Sequence, residues 1–282
     1  MELRYCMHAG GEIDGRMLLN TLDGYMLWKK KGVRIYEYDI VETVDNEYIA
    51  CHDYSIKGFE QLGICNIPSF HNCTKDWFKT SLINTENIKG LHTLDLNGVL
   101  NLLNQPDVDS IMIDPKTFSY ESCRRLLKKI SFISDTLNIN HVKIVFETYN
   151  PDMIKAASES GLSLTWQYCV DDDIQQGNSK ITRDMETEEL ISFLKESNIN
   201  VISYPWKQAV ENLPKLKRFK DEGFVIYSRT RNDLFYDLLI KAGIDINIVD
   251  HLLTDEKRKD LESYRTLYLN QYKKSIDTYF QR

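Results

Sequence analysis

Short apolar runs rich in β-branched and aromatic residues alternate along this chain with longer segments whose apolar positions recur every three or four residues. Such alternation predicts parallel strands joined by crossover helices. Strand-type runs fall at Leu3–Met7, Ile35–Ile40, Ser110–Asp114, Val142–Glu147, Leu162–Tyr168, Val201–Tyr204, Phe224–Tyr227 and Ile246–Val249, giving eight units. Helical spacing is plain in Leu18, Leu22, Tyr25 and Met26 after the first run, and in Leu234, Leu238 and Leu239 after the seventh. Gly32, Gly161, Gly223 and Gly243 stand where a helix should end before a strand, while Asn150-Pro151 and Leu213-Pro214 stand near helix starts. Eight units of this kind predict an α/β fold, a (β/α)8 TIM barrel, and 282 residues suit one such domain.

Two stretches depart from the alternation. Thr43 to Cys51 reads as a hairpin arm, and residues 53–90 lack a clear helical period, so they are expected to form an insertion at a strand's C-terminal end. The aromatics there, Tyr54, Phe59, Phe70, Trp77 and Phe78, suit a small satellite core. Residues 254–282 form a helical extension in which Leu261, Tyr264, Tyr268, Tyr272, Ile276 and Tyr279 make one apolar stripe. That stripe is expected to dock on the barrel, with a homo-oligomer contact as the alternative.

Composition narrows the function classes. The formal charge of −7 is spread among mixed signs, with only short basic clusters at Lys29-Lys30-Lys31 and at Lys215 to Lys220, so nucleic acid is not an expected partner. No apolar run approaches the ~20 residues that span a bilayer, and the opening Met1 to Cys6 has neither the basic nor the apolar region of an export signal, so a cytoplasmic protein is expected. Six cysteines diluted over a chain of this length predict free thiols. Cys65, His71 and Cys73 resemble part of a zinc site but lack a fourth ligand.

In a barrel of this kind the chemistry collects where strands end. His8 follows the first strand, Glu37 and Asp39 end the second, His52 closes the hairpin arm, and Asp114 and Lys116 end the third. The period of two along a strand turns Glu37 and Asp39 to one side and Tyr36 and Tyr38 to the other. Three converging carboxylates repel unless they are protonated or bridged by a cation; a bound cation is the simpler answer, and an all-oxygen set favours one divalent ion, Mg²⁺ or Ca²⁺. Two histidines beside such an ion make a general acid/base pair, to which Lys116 adds positive charge, so a small-molecule phosphodiester is the expected substrate. Glu147, Gln167, Tyr204, Trp206 and Arg229 also fall at or near strand ends and are candidates for lining a substrate pocket.

These residues are similar in order and spacing to the motifs of the glycerophosphodiester phosphodiesterase family. Met7-His8-Ala9-Gly10-Gly11 and Leu19-Asn20-Thr21 resemble the family's H-R-G and E-N-T segments. Gly32 through Glu37 and Asp39 to His52-Asp53 resembles its G-x-x-x-x-E-x-D and H-D, and Ile113-Asp114-Pro115-Lys116 its E-I-K. Arg229 to Asn232 and Ile248 to Asp250 follow its later segments more loosely. The resemblance implies Glu37, Asp39 and Asp114 as metal ligands, His8 and His52 as the catalytic pair, Asn20 near substrate, and hydrolysis to an alcohol and glycerol 3-phosphate. Three positions differ from the pattern: Ala9 replaces an Arg, Leu19 a Glu, and Asp114 a Glu. Asp114-Pro115-Lys116-Thr117 also resembles the barrel phospholipases D that form cyclic phosphates.

Overall fold

The computed structural model describes residues 4–52, 62, 73–81, 91–170, 185–267 and 270–272. The strands are β1 (Arg4–Met7), β2 (Ile35–Glu42), β3 (Tyr48–Ala50), β4 (Ser110–Pro115), β5 (Ile144–Thr148), β6 (Thr165–Cys169), β7 (Val201–Pro205), β8 (Val225–Arg229) and β9 (Ile246–Val249). They follow the order β1-β9-β8-β7-β6-β5-β4-β2-β3, and β1 also pairs with β2. Eight strands therefore close into a (β/α)8 barrel, with β3 lying antiparallel on β2 as the predicted hairpin arm. The helices are α1 (Leu22–Lys29), α2 (Lys75–Ser81), α3 (Leu96–Asn101), α4 (Tyr120–Leu137), α5 (Pro151–Glu159), α6 (Thr187–Glu196), α7 (Trp206–Glu211), α8 (Leu213–Asp221), α9 (Tyr236–Lys241) and α10 (Asp255–Asp260).

Contacts along the chain cluster into two units, Met7–Thr165 and Met1–Cys6 with Trp166–Arg282. In the first, β4 and β5 are buried along nearly their whole length, as parallel strands covered on both faces must be. Tyr36, on the side of β2 opposite Glu37, meets Tyr25 of α1 with ring centroids 5.1 Å apart. Asn150 caps α5 by accepting from the Met153 N–H, and Pro151 takes the first turn. Gly32 and Gly161 end their helices at φ of +81° and +69°, a conformation that penalises any Cβ.

The insertion contains more regular structure than its sequence predicts. The helix α2 forms there, too short for its period to show, and Phe78 packs in a satellite core with Leu19, Val41, Ile49, Cys51, Leu62 and Cys73. Trp77 packs against the same cluster. Tyr54, Phe59 and Phe70 lie outside the described residues, as do Cys65 and His71. Cys73 is buried among apolar side chains that push its thiol up to about 11. All five described cysteines are free.

In the second unit Gly223 and Gly243 end their helices in the same left-handed way, at φ of +87° and +81°. The C-terminal extension docks on this unit. Tyr272 is buried against Trp206 and donates to Glu211, and the Tyr264 ring lies 6.0 Å from that of Phe235. Tyr268, Ile276 and Tyr279 lie outside the described residues. Among the described residues no helix is long and apolar enough to cross a membrane.

Leu18 departs from the predicted first helix. It has φ of +60°, and α1 begins four residues later, capped by Thr21, whose hydroxyl accepts from the Gly24 N–H. A Cβ on Gly24 would stand 2.4 Å from the Gly10 carbonyl oxygen, so this glycine lets α1 approach the loop after β1. Gly24→Ala is expected to cost about 1–3 kcal/mol, since backbone cannot yield as a side-chain tip does. Met26→Ala, on the exposed face of the same helix, should change stability by less than about 0.5 kcal/mol. Equal urea midpoints for the two variants would refute the close-approach argument.

Candidate active site

The parallel register of β2 and β4 sets Asp39 directly opposite Asp114 and Glu37 opposite Met112. Glu37 and Asp39 project to one side of β2, as the period of two requires. One oxygen from each of Glu37, Asp39 and Asp114 lies within 4.8 Å of the others, and all three residues are buried.

Each carboxylate has partners of its own, and Lys116 is shared between Asp39 and Asp114. Glu37 Oε2 accepts the Ala9 N–H at 2.6 Å, and His8 Nε2 lies 3.9 Å from the same oxygen. Asp39 Oδ2 accepts from Asn20 Nδ2 at 2.8 Å, while the Asp39 N–H donates to Asn20 Oδ1 at 2.9 Å. Asn20 thus applies both ends of its amide to one residue, and it is fully buried. The amide that the sequence offers as a substrate contact is turned to Asp39. Lys116 donates to Asp114 Oδ2 at 2.6 Å and stands 2.7 Å from Asp39 Oδ1 as an ion pair.

The loop after β1 makes this possible. Ala9 has φ of 48° and ψ of 40°, Gly10 φ of 73°, and Leu18 and Asn20 φ of 60° and 54°. Left-handed backbone at alanine and leucine is sparsely populated and needs support from its surroundings. Part of that support is the Asn20 N–H, which donates to the Ala9 carbonyl at 2.8 Å and ties the two turns together. Leu19, between the two left-handed residues, is anchored in the satellite core.

His52 follows Cys51, whose N–H donates to the Asp39 carbonyl at 3.0 Å, so the second histidine is carried back to the carboxylates by the hairpin arm. Burial disfavours the charge on Asp39, but the Lys116 ammonium, with His52 and His8, outweighs it and holds the carboxyl well below its usual range. Burial likewise works against the charge on Lys116, and Asp114, Asp39 and Glu37 reverse the balance, raising its pKa.

Three carboxylates against one ammonium leave two negative charges in the cluster, which suits one divalent cation. Asp114 Oδ1 is buried and has no hydrogen-bond partner among the described residues, so a ligand oxygen is available for such an ion. The all-oxygen donor set fits a hard cation.

Glu147 of the same unit is fully buried at the end of β5 and accepts a short hydrogen bond from the Tyr149 hydroxyl. Tyr149 was not a candidate from the sequence, although it lies two residues past Glu147 and hence on the same side of an extended chain. The Ala9 N–H was also missed, because no side-chain pattern marks a backbone donor. Gln167, Tyr204, Trp206 and Arg229 lie in the other unit. Gln167 and Tyr204 are buried on β6 and β7, and Arg229 ends β8. Trp206 stacks on Phe235 at 4.5 Å between centroids, which makes it part of an aromatic cluster with Tyr272.

Since the folded-state pKa of Asp39 is depressed, its contribution to stability is present above the unfolded value near 4 and is lost as the pH falls below it. Lys116→Met removes the main cause. In a chelator it should cost about 3–5 kcal/mol at neutral pH, because Asp39 and Asp114 stay buried without their cation. Its stability should also rise less steeply with pH from acid to neutral than that of the parent. Parallel pH profiles for the two proteins, from urea unfolding, would refute the coupling.

No protein-family model matches this chain, and no curated protein matches it in sequence. Among solved structures, its fold is similar to a glycerophosphodiester phosphodiesterase from Thermotoga maritima, with a TM-score of 0.64 and 19% identity over 89% of this chain and 95% of that one. It is similar to one from Parabacteroides distasonis, with a TM-score of 0.66 and 18% identity over 94% and 99% of the two chains. A third is an Oleispira antarctica phosphodiesterase in complex with its product sn-glycerol-3-phosphate, at 0.61 and 13% over 88% and 93%. At these identities the likeness is one of fold, and it extends over nearly the full length of each chain.

Proposed function

We propose that this chain is a metal-dependent phosphodiesterase that cleaves a glycerophosphodiester to an alcohol and glycerol 3-phosphate. The observation that carries the proposal is the convergence of Glu37, Asp39 and Asp114 beside His8, on the fold shared with the phosphodiesterases above. These carboxylates would hold one divalent cation, Mg²⁺ or Ca²⁺, which when bound supplies positive charge to a phosphoryl oxygen.

The remaining chemistry falls to the chain's own side chains. His8 removes a proton from the attacking hydroxyl, and His52 donates one to the departing alkoxide, so that each finishes in the state the other began in. The roles then reverse for the second half-reaction. Lys116, with its ammonium between Asp39 and Asp114, fixes the positions of two ligands and keeps positive charge at the edge of the cluster. Asn20 is a positioning residue for Asp39. Glu147, buried at the end of β5 in the same unit as the carboxylates, is a further residue that would meet the substrate.

Phosphorus NMR with Mg²⁺ or Ca²⁺ and a panel of glycerophosphodiesters tests this reading, and a persistent cyclic phosphate would assign the lyase chemistry instead. His8→Ala and His52→Ala should each slow turnover by about 10²–10⁴-fold while leaving the fold intact. Retained turnover in either variant would remove that histidine from the mechanism, and turnover that survives a chelator would remove the metal.

Asn20→Ala should weaken metal affinity by about 10–100-fold, measured by calorimetry, since it supports a ligand without being one. Unchanged affinity would refute the positioning role.

A further inference from the structure

The register of β4 and β5 pairs Met112 with Val145 and Ile113 with Phe146, and its next step sets Asp114 beside Glu147. Neighbours in a parallel pair project to the same side, so Asp39, Asp114 and Glu147 form one row across β2, β4 and β5. Strands about 4.8 Å apart put the backbone of Glu147 roughly 10 Å from that of Asp39. Glu147 is as fully buried as Glu37 and Asp39, and it stands outside the group of three carboxylates that can share one ion. A ligand that reaches those carboxylates therefore comes within one strand of an acid that their group does not include.

Glu147 is held from the turn that follows its strand. The Tyr149 hydroxyl donates to Glu147 Oε2, and the Tyr149 ring meets Phe118 edge to face with centroids 5.9 Å apart. Asn150 Nδ2 donates to the Phe118 carbonyl at 3.0 Å while Asn150 Oδ1 accepts the Met153 N–H at 2.9 Å, which fastens this turn to the loop after β4 and to the start of α5. Phe118 lies two residues beyond Lys116, so the loop that carries the ammonium and the turn that carries the phenol are packed as one piece. The direction of the Glu147 carboxylate is thus set by a neighbour that is itself fixed by packing.

The chemistry of the group limits what it can recognise. An ionised carboxylate accepts hydrogen bonds and donates none, and with about four lone-pair sites it can accept from Tyr149 and from a ligand at once. A phosphodiester group offers only acceptors and negative charge, which a carboxylate repels. The donors common to every glycerophosphodiester are its glycerol hydroxyls. We propose, on the phosphodiesterase reading above, that Glu147 is a specificity-determining residue that accepts a hydrogen bond from a glycerol hydroxyl of the substrate, and that Tyr149 is the positioning residue that aims it. The pair makes the site select an ester of a polyol over an ester of a simple alcohol, because an alkyl chain in the same place leaves a buried carboxylate against carbon.

Titration calorimetry with sn-glycerol 3-phosphate and propyl phosphate, in Mg²⁺ and in Ca²⁺ in turn, tests the pair. The two ligands carry the same phosphate on chains of the same length, so the ratio of their affinities reports the hydroxyls and not the charge of the site. The parent protein should bind glycerol 3-phosphate at least about tenfold more tightly, as one hydrogen bond to a charged group allows. Glu147→Met, which keeps the length of the side chain without its acceptors, should bring the ratio close to one. Tyr149→Phe keeps the ring on Phe118 and removes only the donor, and it should lower the ratio by about two- to tenfold. Circular dichroism confirms that each variant is folded, and if Glu147→Met is not, Tyr149→Phe still decides. A parent without preference for glycerol 3-phosphate, or a Glu147→Met protein that keeps the parent's ratio, would overturn the recognition and leave the phosphodiesterase reading standing. An unchanged ratio in Tyr149→Phe would overturn the positioning role. A parent that binds neither ester with either ion would take the phosphodiesterase reading down as well.

Discussion

Three carboxylates buried at the ends of neighbouring strands are the constraint to which the rest of the site answers. Leaving such a group ionised away from water is costly unless it is paired or hydrogen-bonded. Glu37, Asp39 and Asp114 meet this cost by different means: a backbone N–H, a buried amide and an ammonium. The means are not interchangeable. A neutral donor fixes an oxygen in direction without cancelling charge, whereas Lys116 cancels one charge and leaves the cluster with a deficit that one divalent cation would fill.

The loop after β1 is shaped by that requirement. Its donors reach the carboxylates only because Ala9 and Asn20 adopt left-handed backbone, and Leu18 does so as well. Such strain persists where surrounding structure over-determines it. Here the determinants are visible: Leu19 in the satellite core, the Asn20 to Ala9 hydrogen bond, and α1 pressed close through Gly24. The insertion therefore helps the site indirectly, since its Phe78 and Cys73 form part of the core that anchors Leu19.

The barrel was legible in the sequence because each of its strands is an apolar run bounded by glycine or proline, and such punctuation is local. The carboxylates were legible for the same reason, since a period of two is a property of one strand. Two local readings went astray. Leu18 has helical spacing from Leu22, but spacing does not report the sign of φ, and α2 is too short for a period to show. The use of Asn20 was not legible at all. Its partner is nineteen residues away and the contact depends on how a loop folds back, so only its position beside a motif drew notice.

Asn20 and Ala9 together explain how the carboxylates keep their geometry while the loop departs from the motifs it resembles. At position 9 the group that touches Glu37 is the backbone N–H, which any residue able to hold this conformation supplies. Replacing arginine there removes a cation without disturbing the carboxylate. At position 19 a buried leucine exchanges a charge for packing in the satellite core, and again the neighbouring donor is untouched. A substitution at position 9 or 19 thus leaves the donors to Glu37 and Asp39 in place, whereas one at Asn20 would remove the amide that holds Asp39.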